Sequence, residues 1–204
     1  MQAAPFDPDA HLWLEEVEGT RALAWVRAQN ERSLAVLEAD PRFARFYEAA
    51  LEVATSKERI PYGAVRNGYV YNFWQDETHE RGVWRRTTLA DYARAAPSWE
   101  ILLDIDALSR TESRNWVYKG VDCLPPDNTR CLVFLSDGGK DATTRREFDV
   151  AARRFVDGGF FLPEAKSDTA WVDADTLLVA TDWGEANGAS LTESGYPFIV
   201  KRLK

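Results

Sequence analysis

Between Ala64 and Lys204 one unit recurs three times: a strand, a turn, a second strand closing on an aspartate, and a third strand. The first copy reads Ala64–Arg66, the turn Asn67–Gly68, Tyr69–Asp76, then Val83–Thr87. The second reads Trp116–Cys123, the turn Pro125–Asn128, Arg130–Asp137, then Glu147–Ala151. The third reads Ala170–Val172, the turn Asp173–Asp175, Thr176–Asp182, then Phe198–Arg202. Several strands per unit at a period of roughly 45 to 60 residues is the signature of β-propeller blades.

Outer strands are expected at Trp99–Asp104 in the first copy and Phe160–Leu162 in the second. The third copy has only two residues after Arg202, so its outer strand is missing and an edge is left unpaired. Propellers close with about four blades or more, so the chain reads as part of a larger protein. The predicted fold is mainly β with N-terminal helices, a partial β-propeller of three antiparallel blades. The blades span 60–108, 115–163 and 168–204, each four-stranded except the incomplete last. Asn67–Gly68 is the strongest local signal, because both central positions of a type I′ turn need positive φ.

Residues 1–58 form a separate helical arm ahead of the propeller region 59–204. Thr20 is placed to cap a helix in which Leu23, Val26, Asn30, Leu34 and Leu37 share one face. Asn30 inside that stripe predicts a buried amide bonded to a neighbouring backbone. A second helix is expected to start at Asp40–Pro41 and to present Phe43, Phe46, Tyr47, Ala50, Leu51 and Ala54 on one face. Pro61 stops any continuation.

The 204 residues are 45% hydrophobic and 12% aromatic with eight Trp, which excludes a disordered chain. A net charge of −8 argues against nucleic acid, whose phosphates bind clustered Lys and Arg. The pairs Arg85–Arg86, Arg145–Arg146 and Arg153–Arg154 are isolated and expected to project to solvent. Cys123 and Cys131 flank the second hairpin turn, where two buried free thiols are the favoured reading over a disulfide. No stretch reaches the ~20 apolar residues of a membrane span. Residues 1–9 lack the basic and apolar regions of a secretory signal. With Met1 as the native start the chain is cytoplasmic; with a leader removed it is periplasmic.

Catalytic chemistry finds no footing. Gly188–Ala189–Ser190–Leu191–Thr192 is the nearest approach to a G-x-S-x-G nucleophile elbow, but Thr192 replaces the last glycine and both histidines precede the serine. His11 with Glu15, and His79 with Glu77 and Glu80, are weak metal-ligand sets. Asp104 and Asp106 are the nearest carboxylate pair, and strand-end aspartates serve turns more often than acid–base chemistry. Asp76, Asp137 and Asp182 recur after the second strand of each unit, which points to architecture. Trp74, Trp84, Trp99, Trp116, Trp171 and Trp183 are expected to pack between blades rather than form a carbohydrate platform. Gly138–Gly139 and Gly158–Gly159 are read as turns, not phosphate loops. No catalytic, cofactor-binding or metal residue is therefore assigned, and no cofactor is expected.

The N-terminus adds a family likeness. Asp9–Ala10–His11–Leu12–Trp13–Leu14–Glu15–Glu16, followed by Trp25–Val26–Arg27–Ala28–Gln29–Asn30, resembles the opening of the prolyl oligopeptidase family. Leu102–Leu103–Asp104, Ser136–Asp141 and Asp168–Trp171 are similar to later landmarks in the same order, so the resemblance spans residues 7–204. It implies a helical arm that packs on an α/β-hydrolase domain and a seven-bladed propeller that admits only short peptides. The family's Ser, Asp and His have no counterpart in this chain. The expected partners are thus the remaining blades, the hydrolase domain and short peptides, with no nucleic acid or membrane and with self-association through open blade edges. The alternative is a non-catalytic β-propeller-like binding module for proteins or ligands.

Overall fold

The computed structural model describes residues 9–16, 18–56, 60–184 and 189–204. Contacts divide the chain after Ser56 into two units. The first holds a 3-10 turn at Leu12–Glu15 and two helices, α1 (Thr20–Glu38) and α2 (Phe43–Thr55). The alanines, leucines, arginines and glutamates of α1 are strong helix formers. Thr20 is the first helical residue rather than the cap; extended Gly19 takes that place without a side-chain hydrogen bond. Asn30 is exposed, because the described residues leave the apolar stripe of α1 uncovered and bury only Ala22. Asp40 accepts from the Arg42 N–H at 2.9 Å, and its backbone carbonyl from that of Phe43, so α2 starts a few residues later than the proline suggests. Trp13 meets Trp25 edge-on at 6.3 Å, with the Arg21 guanidinium 4.0 Å from the Trp13 ring centre.

The second unit is three antiparallel sheets. The first is β1 (Ala64–Arg66), β2 (Tyr69–Trp74), β3 (Val83–Thr88) and β4 (Glu100–Asp104), paired in that order. Asn67 and Gly68 sit at φ 47° and 78°, as a type I′ turn requires. Short helices α3 (Leu89–Tyr92) and α4 (Ile105–Glu112) follow β3 and β4. Thr88 caps α3 by accepting from Asp91 N, and Asp104 caps α4 by accepting from Ala107 N.

The second sheet is β5 (Trp116–Cys123), β6 (Arg130–Asp137), β7 (Thr143–Asp149), β8 (Arg154–Phe155) and β9 (Phe161–Ala165). β7 begins four residues before the expected Glu147. Thr143–Thr144–Arg145–Arg146 looks too polar for a buried strand, yet Arg145 finds partners in Ser167 and Thr169 and Arg146 in Glu112 of α4. The outer position is shared: β8 pairs with the end of β7 and β9 with its start. The third sheet has three strands, β10 (Asp168–Asp173), β11 (Thr176–Ala180) and β12 (Val200–Leu203).

Register places Cys123 directly opposite Cys131, and the two sulfurs are bonded. The free-thiol expectation is therefore corrected: pairing of β5 with β6 brings the Cα atoms to 3.9 Å with both side chains on one face.

The core lies between sheets. β6 alternates across the pleat: Cys131, Val133 and Leu135 join Trp84, Leu103, Ile105 and Phe148 in a cluster shared with the first sheet. Leu132 turns the other way to meet Leu162, Leu177 and Val179. Trp84, 2% exposed, stacks on Tyr71 at 6.0 Å and meets Phe148 edge-on at 5.5 Å across the sheet boundary.

Loops gather at two ends of the stack. Asn67 donates to the Pro126 and Asp127 carbonyls, so the first turns of two sheets share one end. Arg81, in the β2–β3 loop, donates to Asn115 and to the Trp116 carbonyl at the start of β5. That opposite end, where the chain enters β1, also carries the β6–β7, β9–β10 and β11–β12 connections.

Replacing Trp84 by Ala is expected to lower the unfolding free energy by about 3–5 kcal/mol, read from urea unfolding. Cys123→Ser with Cys131→Ser, or reduction, is expected to lower it by about 2.5 kcal/mol, the chain entropy released by a loop this short. An unchanged urea midpoint under strong reductant would show that the bond does not constrain the unfolded chain.

Candidate functional site

Most residues with chemical potential turn out to be architectural. Ser190 is buried and its hydroxyl accepts from Trp183 N at 3.1 Å, closing the β11–β12 connection; Gly188 lies outside the described residues. His11 Nδ1 lies 3.6 Å from Asp9 rather than beside Glu15, and His79 Nδ1 lies 3.0 Å from Asp76 rather than beside Glu77 or Glu80. Among the described residues no three His, Cys, Asp or Glu side chains gather closely enough to hold a metal ion. Asp104 is spent on its cap, and Asp106 accepts from Arg81 N at 3.0 Å. Asp137 accepts from Asn115 N and Arg114, and Asp182 from Gly184 N. Asp76 binds the most donors. Burial pushes its carboxyl up, but the Thr78 hydroxyl and the backbone and ring of His79 outweigh that and hold it well below the usual carboxylate range.

The arginine pairs depart from expectation. Arg85 is sandwiched between the rings of Trp74 and Trp99, at 4.5 and 4.2 Å, and donates to Asn72 at 2.9 Å. Burial lowers its pKa to about 10, opposed by the charge of Asp76. Arg86 pairs with Glu100 at 2.6 Å, and Arg146 with Glu112 at 2.6 Å while lying 3.7 Å from the Phe155 ring centre. Only Arg153 and Arg154 project outward, as expected. The reason is cross-strand: aromatic faces and carboxylates on neighbouring strands take up guanidinium groups that adjacent residues in sequence cannot reveal. Four of the six tryptophans follow the packing expectation, Trp84 and Trp116 buried and Trp171 and Trp183 flanking the second cluster, whereas Trp74 and Trp99 close on Arg85 instead.

At the entry end, a cavity of about 560 Å³ opens between the second and third sheets. Its wall is built on Arg145, only 7% exposed, whose guanidinium donates to the Thr169 hydroxyl and the Ser167 carbonyl. Arg145 also lies 4.2 Å from the Phe134 ring centre, and its Nε has no hydrogen-bond partner among the described residues. Burial lowers its pKa, opposed by the charges of Asp168 and Asp122. Lys119 donates to the Gly139 carbonyl at 2.9 Å. Lys166 donates to the Ser194 carbonyl at 2.9 Å and lies 4.2 Å from the Tyr196 ring centre. Asp141, Asp168 and Pro197 complete the lining. No local motif marks Lys119, Lys166 or Tyr196; they line one cavity because β5 and the β9–β10 and β11–β12 connections reach the same end. A second cavity, of about 510 Å³, contains Glu147, whose carboxylate is already bonded to Arg130 and Phe160 N.

A stack of four-, five- and three-stranded antiparallel sheets, each burying a face on the next, is propeller architecture left open. The sequence model described as "Prolyl oligopeptidase, N-terminal beta-propeller domain" matches residues 7–196. The chain belongs to this family. It is 43% identical over 197 residues to peptidase y4nA of Sinorhizobium fredii, covering 96% of this chain and 27% of that protein. It is 33% identical over 181 residues to peptidase RP174 of Rickettsia prowazekii, covering 85% of this chain and 25% of that one. The chain thus spans about a quarter of the length of the curated relatives it matches. A solved post-proline cleaving enzyme from Rickettsia typhi superposes with a TM-score of 0.87 at 32% identity, covering 97% of this chain and 29% of that one. Oligopeptidase B from Leishmania major shares the fold, with a TM-score of 0.66 at 12% identity over 94% of this chain and 26% of that one.

The depressed Asp76 carboxyl fixes a pH signature. A lowered folded-state pKa contributes stability that is full above the unfolded value near pH 4 and is lost as pH falls further. Wild type is expected to exceed Asp76→Asn in urea midpoint at pH 7, with the gap narrowing steadily as pH falls from about 4 through 2. A gap as wide at pH 2 as at pH 7 would contradict this.

Proposed function

We propose that this chain serves as the N-terminal segment of a serine-type oligopeptidase, supplying a helical arm and part of a propeller that admits short peptides to an α/β-hydrolase domain. The observation that carries the reading is the likeness to the Rickettsia typhi enzyme, at 32% identity and a TM-score of 0.87 over 97% of this chain. Two surfaces support it. In the arm, Leu34, Leu37, Phe46, Tyr47 and Leu51 are exposed, an apolar face suited to covering by another domain. In the third sheet, Leu178 and Val200 are exposed on paired strands, as expected of a blade that packs on a further blade.

In such an enzyme a serine oxygen attacks the peptide carbonyl, a histidine takes its proton, and backbone N–H groups hold the oxyanion. None of those roles is assigned to a residue of this chain. Its contribution is exclusion: a rigid stack of sheets blocks folded proteins and passes extended short peptides. Cleavage after proline is the specificity to test first.

A serine-directed phosphonate is expected to leave the purified 204-residue chain unlabelled. The reading frame carried to the length of the relatives is expected to take up one phosphonate per chain and to cleave short peptides but not folded proteins. A full-length product that neither labels nor cleaves would overturn the reading in favour of a non-catalytic binding module.

A further inference from the structure

The cations of the entry-end cavity differ from the ion-paired ones of this unit. Arg86, Arg114, Arg130, Lys140 and Arg146 each have a carboxylate within 3 Å. Lys119, Arg145 and Lys166 have none within 4 Å among the described residues; their partners are carbonyls, a hydroxyl and aromatic rings. A carbonyl partner leaves each ammonium with further N–H donors. Arg145 adds a buried positive charge to the wall, set against the nearby charges of Asp168 and Asp122.

The cavity lining also includes Phe134, Tyr196 and Pro197, with Tyr196 against Lys166 and Phe134 against Arg145. A ligand that suits it carries a carboxylate next to an apolar or aromatic group. Asp141 and Asp168 in the same lining oppose dense polyanions such as nucleic acid or polyphosphate. The cavity opens at the end of the sheets where β1 begins.

We infer that this cavity is a carboxylate subsite for the C-terminal end of short peptides, with Lys119 and Lys166 taking the carboxylate and Tyr196 the last side chain. Arg145 is a positioning residue: it holds Ser167 and Thr169 and so fixes the lysine-bearing connection. The inference rests on the oligopeptidase reading for its biological ligand, but not for its binding chemistry. A peptide seated here is selected by its free end, which discriminates short peptides from internal segments of long chains.

The test is calorimetric titration of the 204-residue chain with N-acetyl-Ala-Pro-Phe as the free acid and as the C-terminal amide. N-acetyl-Ala-Pro-Glu amide, whose only carboxylate is a side chain, is the third probe. The free acid is expected to bind at least about tenfold more tightly than either amide, weakening with added salt. Lys119→Ala and Lys166→Ala should each lose about tenfold, with Lys166→Arg retaining affinity within about threefold. Circular dichroism checks that each variant is folded, and Lys166→Gln replaces any that is not. Equal affinity for acid and amide, unchanged affinity in the lysine variants, or no saturable binding up to about 20 mM would overturn the subsite. Tight binding of the glutamate amide would overturn its assignment to peptide termini. The two readings fail separately: a full-length protein that labels while the chain ignores the free acid loses only the subsite. Free-acid binding without labelling of the full-length protein loses only the peptidase.

Discussion

The structure depends on one strand buried on both faces. β6 sends Cys131, Val133 and Leu135 toward the first sheet and Leu132 toward the third. A β-strand alternates its side chains with period two, so a run apolar at nearly every position must be covered on both sides. That condition forces a sheet on each side and makes stacking a requirement of β6 itself. Trp84 reaching Phe148 across the first boundary and Leu162 meeting Leu177 across the second are the contacts that satisfy it.

Around this apolar axis the polar residues do a second job. Arginines that read as surface charge are instead inter-strand and inter-element ties. Arg85 lies between two tryptophan rings, Arg146 links β7 to α4 through Glu112, and Arg145 reaches from the second sheet to Ser167 and Thr169. Guanidinium suits the task because its plane stacks on rings while its edge still donates. It also gives the Arg145 and Arg146 guanidinium groups of β7 partners on other elements, although β7 starts earlier than an apolar pattern suggests.

The hairpins were readable because their signals are local. Asn67–Gly68 needs positive φ at two adjacent positions, and the turn follows from those two residues alone. The outer strand Glu100–Asp104 and the three-stranded third sheet likewise follow from alternation and turn spacing. The helix starts were less readable. Thr20 and Asp40 are both competent acceptors, yet Gly19 precedes α1 without a side-chain cap and Asp40 serves the Arg42 N–H before α2 begins. The disulfide needed register: a separation of eight residues is compatible with paired or free thiols until β5 and β6 set Cys123 opposite Cys131. The entry-end cavity had no sequence signal, since Lys119, Arg145, Lys166 and Tyr196 come from four separate segments.

By itself the sequence determined the recurring strand units, the turn chemistry and the N-terminal strings that tie the chain to its family. These depend on residues adjacent or a few positions apart, where backbone sterics and side-chain alternation act directly. Tertiary structure alone decided which charges are buried, which cysteines bond and which cations line one cavity. Those outcomes depend on the distance between strands that are remote in sequence, and that distance is set only when each sheet buries its apolar face on the next.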